Sequence, residues 1–265
     1  MNYILFSTLE EEDCSQLNSS TGIAVGIIII IAMFLSYVPQ YQKIIKSKSS
    51  EGISNYYILL YNITNFTNFY GTLLINFRLV NCCLHISSDK CMNLLLPLYQ
   101  MFTPWFCVFI LYILFLVYDN HNHICNRNFY QFIFFNSFFV IILGILGMCF
   151  LIKYSEYQKN VKQFGDGLNI VSTITCIVCL LPQIYKTYKE KQIGNLSIMS
   201  LALQAPGSFI VFVYQYYIIH APISIGIPYL FGFILQVILL AECIYYTRYY
   251  KKNYELIVNY ENYQN

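Results

Sequence analysis

The chain has 265 residues, 57% of them hydrophobic and only 11% charged, with a net charge of +2 and a mean hydropathy of +0.53. A soluble domain carries about a quarter charged residues, so the composition excludes an ordinary soluble enzyme, and the near-neutral balance argues against a nucleic-acid partner. The charge deficit is that of a chain facing lipid, where charges are costly.

Residues 1–21 carry Glu10, Glu11, Glu12 and Asp13 where a cleavable signal would need basic residues, so the first apolar run is expected to act as an uncleaved anchor. Asn18, in "NSS", is an N-glycosylation acceptor if that segment lies outside the membrane at sufficient distance. A hydrocarbon core of ~30 Å needs roughly 20 apolar residues per helix. Seven segments meet that length: 22–43, 53–77, 94–118, 129–152, 166–186, 196–219 and 222–246. The second and sixth are the most polar, interrupted by Asn62, Asn65, Asn68, Gln204 and Gln215.

Lysine and arginine in the connections set the orientation. With the N-terminus outside, the inner side receives ten basic residues, among them Lys43, Lys46, Lys186 and Lys189, and the outer side keeps five. The N-terminus is therefore expected in the lumen and the C-terminus in the cytosol. Cys82, Cys83 and Cys91 share an outer loop, with Cys14 on the same side, leaving room for one or two disulfides.

The first and fifth segments end alike. "SYVPQYQKIIKSKSSEGIS" (36–54) and "CLLPQIYKTYKEKQIGNLS" (179–197) align at one offset of 143 residues. Pro39 and Gln40 match Pro182 and Gln183; Lys43, Lys46 and Lys48 match Lys186, Lys189 and Lys191; Ser54 matches Ser197. Two copies of three helices joined by a fourth run in the same direction, as parallel repeats about an axis along the membrane normal.

On these residues the chain resembles PQ-loop repeat proteins, relatives of the lysosomal amino-acid exporters of the cystinosin type and, more distantly, of SWEET transporters and KDEL receptors. The resemblance covers about residues 22–246. It implies an all-α integral membrane protein of seven helices in a 3+1+3 arrangement. The parts are a lumenal segment (1–21), a first repeat (22–118), a linker with the fourth helix (119–165), a second repeat (166–246) and a cytosolic tail (247–265).

Proline removes a backbone donor, so Pro39 frees the carbonyl of Leu35 and Pro182 that of Val178. Gln40 and Gln183 can bond to freed carbonyls or to each other across the axis. These four residues are read as hinges near the cytosolic ends of two helices. Asn62, Asn65, Asn169, Gln204 and Ser208 are read as solute contacts, with Tyr37 and Gln236 as weaker candidates. "APG" (205–207) predicts a kink in the sixth helix beside Gln204. The amino-acid exporters look proton-coupled through membrane carboxylates, and Gln204 stands where the cystine-exporting branch has Asp. Asp166 and Glu242 are the fallback coupling residues here.

Cys176 and Cys179 form a CxxC inside a membrane helix and read as packing residues. His121, His123 and Cys125 sit in a short polar loop with no fourth ligand. No nucleophile–base set is seen, so neither enzyme activity, a metal nor a cofactor is expected. Tyr254 and Ile257 in "YELI" fit a tyrosine-based sorting signal read by clathrin adaptors as an added strand, pointing to endosomes or lysosomes.

The sequence thus reads as an endolysosomal transporter of a small polar or zwitterionic solute, an amino acid among the candidates, with the bilayer and a clathrin adaptor as partners. The rival is a non-transporting trafficking protein, either a cargo receptor or a modulator of lipid distribution. A lipid-handling role should show a polar groove open to lipid.

Overall fold

The computed structural model describes residues 20–77, 80, 83, 87–119, 138–147, 149, 158–191 and 193–264, and all their regular structure is helical. The principal helices are α1 (Ser20–Ser47), α2 (Asn55–Ile75), α3 (Leu96–Asp119), α4 (Phe138–Gly147), α5 (Gln158–Glu190), α6 (Ile198–Val213) and α7 (Ile223–Gln264). α6 passes directly into a π-helical turn, Tyr214–Ile218.

Among the described residues, five spans are long and apolar enough to cross a membrane: Ile23–Ser47, Leu96–Tyr118, Lys159–Glu190, Ile198–Ile218 and Ile223–Tyr249. The other two predicted spans differ for separate reasons. α2 has the length, at 21 residues, but its asparagines and threonines make it polar. Fourteen of its residues are buried, so its neighbours, not lipid, surround most of it. α4 is described over ten residues, and most of the rest of the predicted 129–152 span lies outside the described residues.

The repeat is visible in how the helices begin. Ser54 caps α2 and Ser197 caps α6, each in extended backbone with its hydroxyl accepting from the amide three residues on. A serine at this position satisfies one of the four orphan donors of a helix start. The matched "Ser" of the sequence motif is therefore a helix cap. Just before it, Ile53 and Leu196 are buried at matched positions.

Three buried clusters hold the bundle together. The largest gathers Tyr37, Ile44, Tyr57, Tyr61, Leu111, Leu180 and Leu239 toward the Pro-Gln end. A second, with Ile29, Met101, Val211, Tyr214 and Ile225, lies toward the opposite end. A third joins α2 to α5 through Phe66, Tyr70, Leu74, Val161 and Leu168. Here Gly71 and Gly165 face each other so closely that a β-carbon on Gly165 would stand 2.7 Å from the Gly71 carbonyl oxygen. Small residues allow such backbone approach between membrane helices.

Beyond the bundle, Cys83 and Cys91 form a disulfide with their Cα atoms 4.9 Å apart. α7 continues as helix through the predicted tail to Gln264. Residues 254–257 are thus helical rather than extended. Asn18, Cys14, Cys82, His121, His123 and Cys125 lie outside the described residues.

Candidate functional site

Pro39 and Pro182 lie inside α1 and α5, and the glutamine after each one reaches the opposite repeat. Gln40 Nε2 donates to the Asn195 carbonyl at 3.0 Å, and Gln40 Oε1 accepts from the Ser197 amide at 2.7 Å. Reciprocally, Gln183 Nε2 donates to the Gly52 carbonyl at 3.0 Å, and its Oε1 accepts from the Ser54 amide at 2.8 Å. Each pair of bonds reproduces the other at the repeat offset of 143 residues. The glutamines therefore bond neither to each other nor to the carbonyls freed by proline. They hold the loop and helix cap of the other repeat.

The lysines repeat the arrangement one turn further on. Lys43 Nζ donates to the carbonyls of Gly194 and Leu196 at 2.8 and 2.6 Å, and Lys186 Nζ donates to that of Ile53 at 3.0 Å. Between the two clamps the loops touch. Asn195 N–H donates to the Glu51 carbonyl at 2.8 Å, and a β-carbon on Gly52 would stand 2.6 Å from Gly194 Cα. Both glycines have positive φ, 89° and 53°, a conformation that costs other residues energy.

Above the clamps lies a cavity of about 200 Å³ lined by both repeats. α1 contributes Ser36 and Tyr37; α2 contributes Tyr61, Thr64, Asn65 and Asn68; α5 adds Ser172. From the other side come Gln204 and Ser208 of α6, with Tyr229 and Gln236 of α7. No lining residue is charged. Most of the polar side chains in the wall are hydrogen-bonded: the Ser208 hydroxyl lies 3.2 Å from Gln236 Oε1 and 3.0 Å from the Gln204 carbonyl, its one O–H donating to either, and Asn65 Nδ2 donates to the Tyr61 carbonyl at 2.7 Å. Asn68 Nδ2 lies 3.6 Å from Met101 Sδ, while its Oδ1 has no hydrogen-bond partner among the described residues. At the Pro-Gln end of the cavity the hydroxyls of Tyr37 and Tyr61 meet at 3.0 Å.

Of the residues read from sequence as solute contacts, Asn65, Gln204 and Ser208 line the cavity, as do Tyr37 and Gln236. Asn62 and Asn169 are buried but do not. Asn169 packs on the α2–α5 contact, where its Oδ1 would lie 2.5 Å from a β-carbon on Gly71. Three asparagines spaced by three residues drift around the helix, so Asn65 and Asn68 reach the cavity while Asn62, equally buried, does not. Thr64, Ser172 and Tyr229 were missed, since hydroxyls scattered in apolar helices carry no pattern of their own.

Asp166 accepts from Ser224 at 2.6 Å, and Glu242 Oε2 is buried without a hydrogen-bond partner among the described residues; neither lines the cavity. Cys176 and Cys179 are buried on α5, with the Cys176 thiol directed at the Pro228 carbonyl.

The model of the PQ-loop repeat family matches this chain twice, at residues 21–80 and 164–218. Each match contains one glutamine clamp and the helix that follows it. Among solved structures the chain is similar to a eukaryotic SWEET transporter, at 18% identity and a TM-score of 0.47, over 91% of this chain and 99% of that one. No curated protein matches. With its two matched repeats placed in several membrane-length apolar helices, this chain is a multi-pass membrane protein carrying two PQ-loop repeats.

Proposed function

We propose that this protein is a membrane transporter that carries a small uncharged or zwitterionic polar solute through the cavity between its repeats by alternating access. The observation that carries the reading is the cavity itself. It lies between the repeats, both repeats supply polar groups to it, and no residue lining it is charged. A strongly charged solute would find no counter-charge there, and burying an unpaired charge is costly. Its volume is below the roughly 300–1,000 Å³ of drug-sized sites, which suits a solute of amino-acid or sugar size.

The glutamine and lysine clamps close the Pro-Gln end in this conformation. Opening there breaks four glutamine bonds, and the kinks at Pro39 and Pro182 are the places where α1 and α5 bend. α2 and α4 complete seven spans, with the N-terminus lumenal and the C-terminus cytosolic by the distribution of lysine and arginine. The compartment is endolysosomal if Tyr254 and Ile257 are read by an adaptor. Because α7 is helical there, adaptor binding as a strand requires that turn to unwind. Asp166 and Glu242 are the carboxylates available for proton coupling.

A panel of amino acids and sugars tests the reading through thermal unfolding in detergent. A ligand at one hundred times its Kd stabilises by about 2.7 kcal/mol. The reading predicts a saturable rise in Tm for at least one solute, abolished by Gln204→Leu. No shift with any member of the panel would refute it.

A further inference from the structure

The two seams between the repeats should be equivalent under the repeat, and they are not. In the seam between α2 and α5, Thr64 Oγ1 and Thr175 Oγ1 are hydrogen-bonded at 3.0 Å, and Ser172 Oγ donates to the Thr64 carbonyl at 2.9 Å. The other seam lies between α6 and α1, bridged toward the Pro-Gln end by Ser200 Oγ donating to the Ser36 carbonyl at 2.7 Å. At the repeat offset of 143 residues, Thr64 corresponds to Gly207, Thr175 to Ala32 and Ser172 to Ile29. None of these can make the bridging bonds, and a β-carbon on Gly207 would meet nothing within 4 Å.

The consequence is a side opening. Ile28, Leu203 and Ile210 line the cavity and are nevertheless 64%, 41% and 53% exposed. They lie well inside the apolar spans Ile23–Ser47 and Ile198–Ile218. At that depth the surroundings are hydrocarbon, so the mouth opens to lipid. Buried clusters stand toward both ends of the cavity. The mouth is apolar, and the wall behind it carries the amides of Asn65, Asn68 and Gln204 with no charge. Asn68 Oδ1, in a side chain 4% exposed, has no hydrogen-bond partner among the described residues.

We infer that this cavity binds an uncharged amphiphile that enters from the bilayer between α1 and α6. Its hydroxyl or amide head meets Asn65, Asn68 and Gln204, and its alkyl chain lies along Ile28, Ala32, Gly207 and Ile210. The inference rests on the proposed function only in using the same polar wall. A cavity of about 200 Å³ takes the head and leaves the chain in the seam, where it needs no enclosed volume. A charged head is disfavoured because no lining residue can neutralise it.

The test uses full-length protein in proteoliposomes and a photoactivatable, clickable monoacylglycerol. Labelling should be saturable, be competed by unlabelled monoacylglycerol but not by glycerol, and map to residues 28–32 and 203–210. Gly207→Trp fills the mouth from one side and Ala32→Phe from the other. Each should reduce specific labelling at least about tenfold, whereas Ile170→Trp, on a lipid-facing position of α5, should leave it unchanged. If one seam variant fails to fold, the other decides the point. Unsaturable labelling spread over all lipid-facing helices, or labelling insensitive to both seam variants, overturns the inference. Competition by phosphatidylserine as strong as by the uncharged lipid also overturns it. Solute exchange measured in the same vesicles separates the two readings. Exchange without specific labelling sinks the amphiphile alone, and specific labelling without exchange sinks solute transport alone.

Discussion

Replacing Gln183 with leucine removes the two cross-repeat bonds that hold the start of α2. Gln183 is fully buried, and its loss strands the Ser54 amide and the Gly52 carbonyl, bonded at 2.8 and 3.0 Å in the native protein. A buried group left without its partner costs about 1–3 kcal/mol, so the closed state loses roughly 2–6 kcal/mol. Opening of the Pro-Gln end lets water satisfy both groups, and the loss therefore appears mainly as a population shift. At the low end, about 2 kcal/mol is a factor of about 30 toward the open state. Spin labels on cysteines substituted at the exposed, repeat-matched Lys46 and Lys189, with the exposed Cys149 and with Cys14, Cys82 and Cys125 replaced by serine, report the separation of α1 and α5. Gln183→Leu should add a longer-distance population, and Gln40→Leu should add the same one, because its two bonds are equivalent. An unchanged distance distribution together with an unchanged Tm in both variants would refute the clamp.

Gly194→Ala adds a β-carbon 2.6 Å from both the Glu51 carbonyl oxygen and Gly52 Cα, at positive φ; a drop in Tm of the size expected for at least 1–2 kcal/mol should be seen by fluorescence-monitored unfolding. Asn62→Leu should leave both solute-induced stabilisation and Tm at or above wild type, because its buried Oδ1 has no hydrogen-bond partner among the described residues and an apolar replacement of similar shape is nearly neutral. Asn65→Leu, one turn on in the cavity wall, should abolish the solute response, so the pair separates burial from function in one assay. In a variant with Cys14, Cys82, Cys125 and Cys149 replaced by serine, maleimide–polyethylene glycol should modify Cys83 and Cys91 only after reduction, read as a gel shift.

The helix ends show where sequence reading succeeds and where it stops. Hydropathy located every long span to within a few residues at its apolar core. It marks where lipid would end, though, not where helix ends. α5 starts at Gln158, eight residues before the predicted span, and α7 runs to Gln264 because no glycine or proline interrupts it after Gly232. The repeated Pro-Gln, lysine and serine positions were legible as a pattern because they recur at one offset. Their partners were not, because each bond crosses to a loop more than a hundred residues away. The asparagine stripe pointed to the cavity, and only helix packing could separate Asn65 and Asn68 from Asn62. The open seam was hidden for a different reason. Ala32 and Gly207 look unremarkable until their matched threonines, Thr175 and Thr64, are found bonded to each other.

The central claim is transport through the inter-repeat cavity, and counterflow in proteoliposomes tests it most directly. Amino acids and sugars would be compared with and without a pH gradient, in wild type, in Gln204→Leu and in Pro39→Leu/Pro182→Leu. The account predicts exchange of at least one uncharged or zwitterionic solute, reduced about tenfold or more by Gln204→Leu and lost in the double proline variant. Folded wild-type protein that exchanges none of them would contradict it and favour a trafficking role.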